Sequence, residues 1–205
     1  MHKKEIYTAG TELREAEKVL ILIHGRGGIA KEFLSLADHL NTPDFAILAP
    51  QATDFTWYPN SFLAAVAQNE PAYSSALKVL EELLEDIKET GIAPENIYFA
   101  GFSQGACLTL EFVTRNAQRF GGVAAFTGGL IGDKINTENY SGDFNGTPIF
   151  IGTGNPDPHV PVERVEESVE ILREMNAKAE VKIYENKPHS ISEDELKLAN
   201  QFVFN

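Results

Sequence analysis

The sequence predicts an α/β fold, a mostly parallel β-sheet with helices packed on both faces. Short, solidly apolar runs recur along the chain, with helical spacing of apolar residues between them. Unbroken apolarity marks strands covered on both sides, and regular alternation with helices is the pattern of a parallel sheet. A further observation concerns chemistry. In such sheets ligands gather beyond the carboxyl ends of the strands, and His24–Gly28, Ser103, Asp157 and His189 all stand just after apolar runs.

The first strand candidate is a short edge segment, Ile6-Tyr7-Thr8. Lys18–Ile23 follows as a buried strand, running into His24-Gly25-Arg26-Gly27-Gly28 and then a helix with Ile29, Phe33, Leu36 and Leu40 on one face. Phe45–Ala49 is the next strand, stopped by Pro50. From Gln51 to Glu70 no period holds, and a stretch of that length inside a compact domain is more often functional than idle. A helix from about Pro71 buries Ala76, Leu80, Leu83 and Ile87, with Glu81, Glu82, Glu85 and Asp86 as its solvated side and Gly91 as its stop. Ile97–Ala100, the turn at Ser103 and a helix with Ala106, Leu110, Val113 and Ala117 inward come next. The strand Val123–Phe126 leads into a second irregular stretch, Gly128–Thr147, rich in Gly, Asn and Asp. Ile149–Ile151 is a strand, followed by a helix opened by Pro161 with Val162, Val165, Val169 and Leu172 on one face. Val181–Tyr184 is the last strand. The closing helix starts with Ser192 and Glu195 as a capping box and buries Ala199, Phe202 and Val203.

Length and composition bound the function. At 205 residues the chain is expected to form one domain, 1–205, with no repeat or linker to divide it. A net charge of −13 makes nucleic acid and anionic membranes poor candidates as partners. Val19–Ile23 is too short an apolar run to span a bilayer, and Glu5, Glu12 and Glu15 stand where a signal peptide needs apolar residues. Cys107 is the lone cysteine, so no internal disulfide can form and a cytoplasmic location is expected. The histidines show no metal-ligand spacing, so no metal is expected, and Gly25–Gly28 lacks both the dinucleotide spacing and the lysine of a phosphate loop. No cofactor is expected.

The motif that organises the chain is Gly101-Phe102-Ser103-Gln104-Gly105, a G-x-S-x-G between a strand and a helix. The sharp turn needs residues without side chains two before and two after the serine, and it holds the hydroxyl clear of the backbone. Ser103 is the candidate nucleophile. A serine needs a base to take its proton and a carboxylate to orient that base. Of the two histidines after Ser103, His189 follows the last strand and can reach back, whereas His159 lies beside the acid candidate and a neighbour in sequence seldom shares its pocket. Asp157, between Pro156 and Pro158, is the acid; Asp133 and Asp143 are read as loop polarity. The main-chain N–H groups of Arg26 and Gln104 are the expected donors to the oxyanion, with Gly25 allowing close approach of substrate. Trp57 either lines the acyl pocket or pins its loop to the core, and Cys107 reads as a small core residue.

Four ordered stretches together resemble the phospholipase/carboxylesterase family, the small lidless α/β-hydrolases that include acyl-protein thioesterases. They are His24-Gly25-Arg26-Gly27, Gly101–Ala106, Gly154–Pro161 and His189, joined by Gly91–Asn96 ahead of the nucleophile strand. The likeness runs from Lys18 to the C-terminus. It implies an α/β-hydrolase fold without a large lid domain, and metal-independent hydrolysis of small-molecule carboxylic esters or thioesters through an acyl-enzyme, with a homodimer as implied partner. Arg26 stands where the eukaryotic thioesterase branch commonly has an apolar residue, which points to small or medium acyl groups. The alternatives are thioesterase or lysophospholipase action on longer chains, and a non-catalytic binding protein on the same fold.

Overall fold

The computed structural model describes residues 1–205. Seven strands form one sheet: β1 (Ile6–Gly10), β2 (Lys18–Ile23), β3 (Phe45–Pro50), β4 (Ile97–Phe102), β5 (Gly122–Phe126), β6 (Pro148–Asn155) and β7 (Lys178–Glu185). Their order is β1-β3-β2-β4-β5-β6-β7, with β1 antiparallel to β3 and every other pairing parallel. The helices are α1 (Ala30–Phe33), α2 (Val66–Asn69), α3 (Ala72–Glu89), α4 (Gln104–Arg115), α5 (Val162–Glu174) and α6 (Glu193–Phe202).

Strand periodicity sends alternate side chains to opposite faces, and both faces are apolar. Val19, Ile21, Ile23, Phe99, Val123, Ile149 and Ile151 pack with the inward residues of α3, α4 and α5. Leu20, Leu22, Ile47, Tyr98, Ala124, Phe126 and Phe150 pack on the other face with Leu36, Leu40, Ala199 and Val203. The chain leaves β2 toward this second layer and leaves β4 toward the first. The sheet's order therefore reverses between β2 and β4, and such a reversal opens a crevice at the carboxyl end of the strands.

Four elements depart from the sequence expectation. The helix expected over Ile29–Leu40 is a single turn, α1, followed by a 3₁₀ segment over Leu34–His39, and Ile29 is exposed instead of inward. Apolar spacing of three to four residues fits a tight 3₁₀ helix as well as an α-helix. The helix after Ser103 ends at Arg115, so Ala117 lies beyond it. The strands β6 and β7 are longer than their apolar cores, and they pair from Pro148–Lys178 to Asn155–Glu185. That long pairing brings Asp157 and the Asn186–His189 turn off the same end of the sheet.

The two irregular stretches are built rather than loose. The Gly128–Thr147 stretch is anchored on Glu111, which is buried in α4 and accepts from the Ile131 amide, the Tyr140 hydroxyl, the Tyr73 hydroxyl and the Arg115 guanidinium. Removing one partner from a buried charged network typically costs about 3–5 kcal/mol. Glu111→Ala is expected to lower unfolding stability by about that amount in urea titration and to expose Gly128–Thr147 to protease.

Candidate active site

Ser103 occupies the turn between β4 and α4 with φ +54° and ψ −118°, a conformation a side chain rarely adopts. Its neighbours explain how the turn closes. A Cβ on Gly105 would collide with the Ile23 carbonyl, and one on Gly101 would meet the Gly105 carbonyl and Thr109. The hydroxyl is left clear, and α4 starts directly behind it.

The expected partners converge there. The Ser103 hydroxyl lies 2.8 Å from His189 Nε2, and His189 Nδ1 lies 2.8 Å from Asp157 Oδ2. An ionised carboxylate only accepts, so Nδ1 carries the ring proton and Nε2 accepts from the serine. Asp157 in turn accepts through Oδ1 from the His159 and Val160 amides, each at 2.9 Å, and its side chain is fully buried. Burial pushes the Asp157 carboxyl up, yet the bonds from His189 and these two amides outweigh it and leave it below the usual carboxylate range. Asp133 and Asp143 stay outside the cavity that holds this chain of bonds.

Above Ser103 lies an open cavity of about 700 Å³. Gly25 and Arg26 form one wall, Tyr58–Leu63 another, and Pro158–Pro161 a third. The Arg26 amide makes no hydrogen bond inside the protein, and Gln104, first in α4, has no intrahelical acceptor for its own. Both amides sit on residues that line the cavity with Ser103, where a developing oxyanion would lie.

Side chains lock these two loops together. Gln104 Oε1 accepts from the Trp57 amide at 2.9 Å, and its Nε2 donates to the Tyr58 carbonyl at 2.8 Å. The Arg26 guanidinium donates to the carbonyls of Tyr58, Pro59 and Asn60. Trp57 itself does not reach the cavity. It is fully buried, its indole N–H donates to the His24 carbonyl, and its ring packs against those of His2 and His24. Of the two roles open to it from sequence, the buried ring fits pinning the loop, while Tyr58–Leu63 of the same loop line the cavity.

His159 departs from expectation in the other direction. The turn through Pro158 brings it into the cavity, with its ring 4.9 Å from that of His189 in an edge-on arrangement. It forms no bond to Ser103. Phe102 also packs against His189, with ring centroids 5.1 Å apart. On sequence alone His159 is set aside because a neighbour of Asp157 seldom shares its pocket, and Phe102 carries no signal beyond its place in the motif. Cys107 also borders the cavity, but burial pushes its thiol up to about 12, so it remains protonated. No three His, Cys, Asp or Glu side chains come together in a way that could hold a metal ion.

Residues 8–204 match the profile of the phospholipase/carboxylesterase family. The chain belongs to that family. The crystal structure of a phospholipase/carboxylesterase from Dyadobacter fermentans superimposes with a TM-score of 0.98 at 53% identity, over 100% of this chain and 98% of that one. Acyl-protein thioesterase 1 of Kluyveromyces lactis is 27% identical over 94% of this chain and 93% of its own length. A probable carboxylesterase of Arabidopsis thaliana is 32% identical over 68% of this chain, which spans 53% of that relative. The phospholipase/carboxylesterase family has the α/β-hydrolase fold, and here the sheet carries no large lid domain. No helix is long and apolar enough to cross a membrane.

Proposed function

We propose that the protein is a serine esterase that cleaves carboxylic esters of small to medium acyl groups through an acyl-enzyme. The observation that carries this is the continuous line of hydrogen bonds from Ser103 through His189 to Asp157 at the floor of an open cavity. Ser103 Oγ attacks the ester carbonyl as its proton passes to His189 Nε2, and Asp157 holds the ring and stabilises its cation. The carbonyl oxygen becomes an oxyanion that accepts from the Arg26 and Gln104 amides. His189 returns the proton to the departing alcohol, leaving the acyl group on Ser103. Water then attacks that ester with His189 as base, and the acid and free serine result. Gly25 leaves room for the substrate beside the nucleophile.

Arg26 in the cavity lining, with Asn60, Ser61 and His159, supports small or medium acyl groups; Phe62, Leu63 and Val160 give the same lining its apolar part. The relatives named acyl-protein thioesterase favour a second reading, in which a thiolate leaves in place of an alcohol and the acyl-enzyme is the same. An apolar groove gains roughly 0.8 kcal/mol for each methylene it buries. The expected result is therefore that kcat/KM for p-nitrophenyl butyrate exceeds that for the palmitate ester. A steady rise with chain length would instead favour the long-chain reading. Covalent labelling of Ser103 by a fluorophosphonate distinguishes either enzyme from a mere binding protein, which would stay unmodified.

The same reading treats residues 1–205 as one catalytic domain, supported by the single sheet that runs through them. It also takes the enzyme to be cytoplasmic, since an unpaired cysteine such as Cys107 stays reduced there.

A further inference from the structure

Beneath the loop that carries His189 lies an ion pair that the catalytic chemistry does not use. Lys187 Nζ is 3.1 Å from Glu195 Oε2, and the two side chains are 7% and 0% exposed. The same Oε2 accepts from the Ser192 amide at 2.7 Å and the Ser192 hydroxyl at 2.8 Å. Lys187 Nζ also donates to the Ser190 carbonyl at 2.5 Å. Every polar partner of the pair thus lies between 187 and 195, on both sides of His189.

The pair is also fitted to β6, the strand that leads into Asp157. Gly152 faces Glu195 so closely that a Cβ there would collide with Oε1, an atom that is buried and has no hydrogen-bond partner. A Cβ on Gly154 would lie 2.8 Å from the Lys187 carbonyl. The Asn186 amide donates to the Asn155 carbonyl at 2.8 Å. Two glycines in β6 therefore let the base loop settle against the strand that carries the acid.

A buried ion pair is a poor stabiliser, because desolvating both charges offsets their attraction and an apolar or neutral pair does as well. What such a pair fixes well is position. We infer that Lys187 and Glu195 are positioning residues that hold the His189 ring in register between Ser103 and Asp157. This rests on His189 being the base. Catalysis is sensitive to such placement, since a misplacement of about 1 Å can cost on the order of a hundredfold in rate.

The test is the neutral double variant Lys187→Met/Glu195→Gln. The glutamine introduced by Glu195→Gln would retain the capping contact with Ser192, and no lone charge is left buried. The variant should fold with a urea midpoint close to that of the parent and keep KM for p-nitrophenyl butyrate within about twofold. Its kcat should fall about tenfold or more. In a His189→Ala background the same two changes should cause no further fall, since residues acting through one group are not additive. Parental kcat in the double variant would overturn the inference. So would failure to fold, which would make the pair a stabiliser, or an equal proportional fall with and without His189. Parental activity in His189→Ala alone would instead overturn the catalytic assignment itself, and this inference with it.

Discussion

Ser103→Ala is expected to reduce kcat for p-nitrophenyl butyrate by about 10⁴-fold or more, with KM little changed and the fold intact. In the proposed mechanism the hydroxyl oxygen becomes covalently bound, and nothing nearby can replace it. Cys107 is one helical turn away, but burial holds its thiol in the protonated form. What remains in the variant is transition-state stabilisation by the Arg26 and Gln104 amides, which the mutation leaves in place. Alanine has no larger need for space than serine, and the turn is fixed by Gly101 and Gly105 rather than by the hydroxyl. A burst-free, steady-state rate within tenfold of the parent would remove Ser103 from the mechanism.

Asp157→Asn should lower kcat by a comparable factor, about 10⁴, through a different cause. The amide can donate where the carboxylate only accepted, so the proton of the His189 ring is driven to Nε2 and that nitrogen can no longer take the proton of Ser103. Two main-chain amides at 2.9 Å still favour an oxygen at the Oδ1 position, which keeps the side chain in place and limits the effect to the tautomer. There is also a signature in stability. The folded-state carboxyl lies below the usual range, so its contribution is fully present above the unfolded value of about 3.9 and is lost as pH falls through the lower folded one. Urea midpoints measured for both proteins should therefore converge as the pH is taken below about 4.

The site was more legible in the sequence than the surfaces around it, for physical reasons. Ser103, Asp157 and His189 each follow a strand, and a parallel sheet must deliver strand ends to one rim. Trp57 gave no such lead. An aromatic ring in an irregular stretch looks the same whether it faces substrate or core, and only the indole bond to His24 decides between them. Ile29 to Leu40 failed because apolar spacing alone does not separate one α-turn from 3₁₀ structure. No reading of the sequence singled out Glu111. Its signal was available, since α4 is apolar on nearly every side and a lone carboxylate in such a helix has to be buried with partners. Glu195 was legible as the N3 residue of a capping box, but its bond to Lys187 depends on how the preceding loop folds over β6 and leaves no trace in spacing.

Trp57 is the single tryptophan of the chain, and it packs against two imidazoles, 5.4 Å from His2 and 5.1 Å from His24, while its backbone amide is bonded to Gln104. Its emission is therefore a built-in optical probe of the Gln104 side of the proposed catalytic centre, readable without a label. Imidazolium quenches indole fluorescence strongly and neutral imidazole weakly. Burial lowers both histidines, so the signal should hold steady through neutral pH and dim only in acid, below the ordinary histidine range. Stopped-flow recording of that emission would follow acylation and its reversal in real time whenever the Gln104 contact shifts.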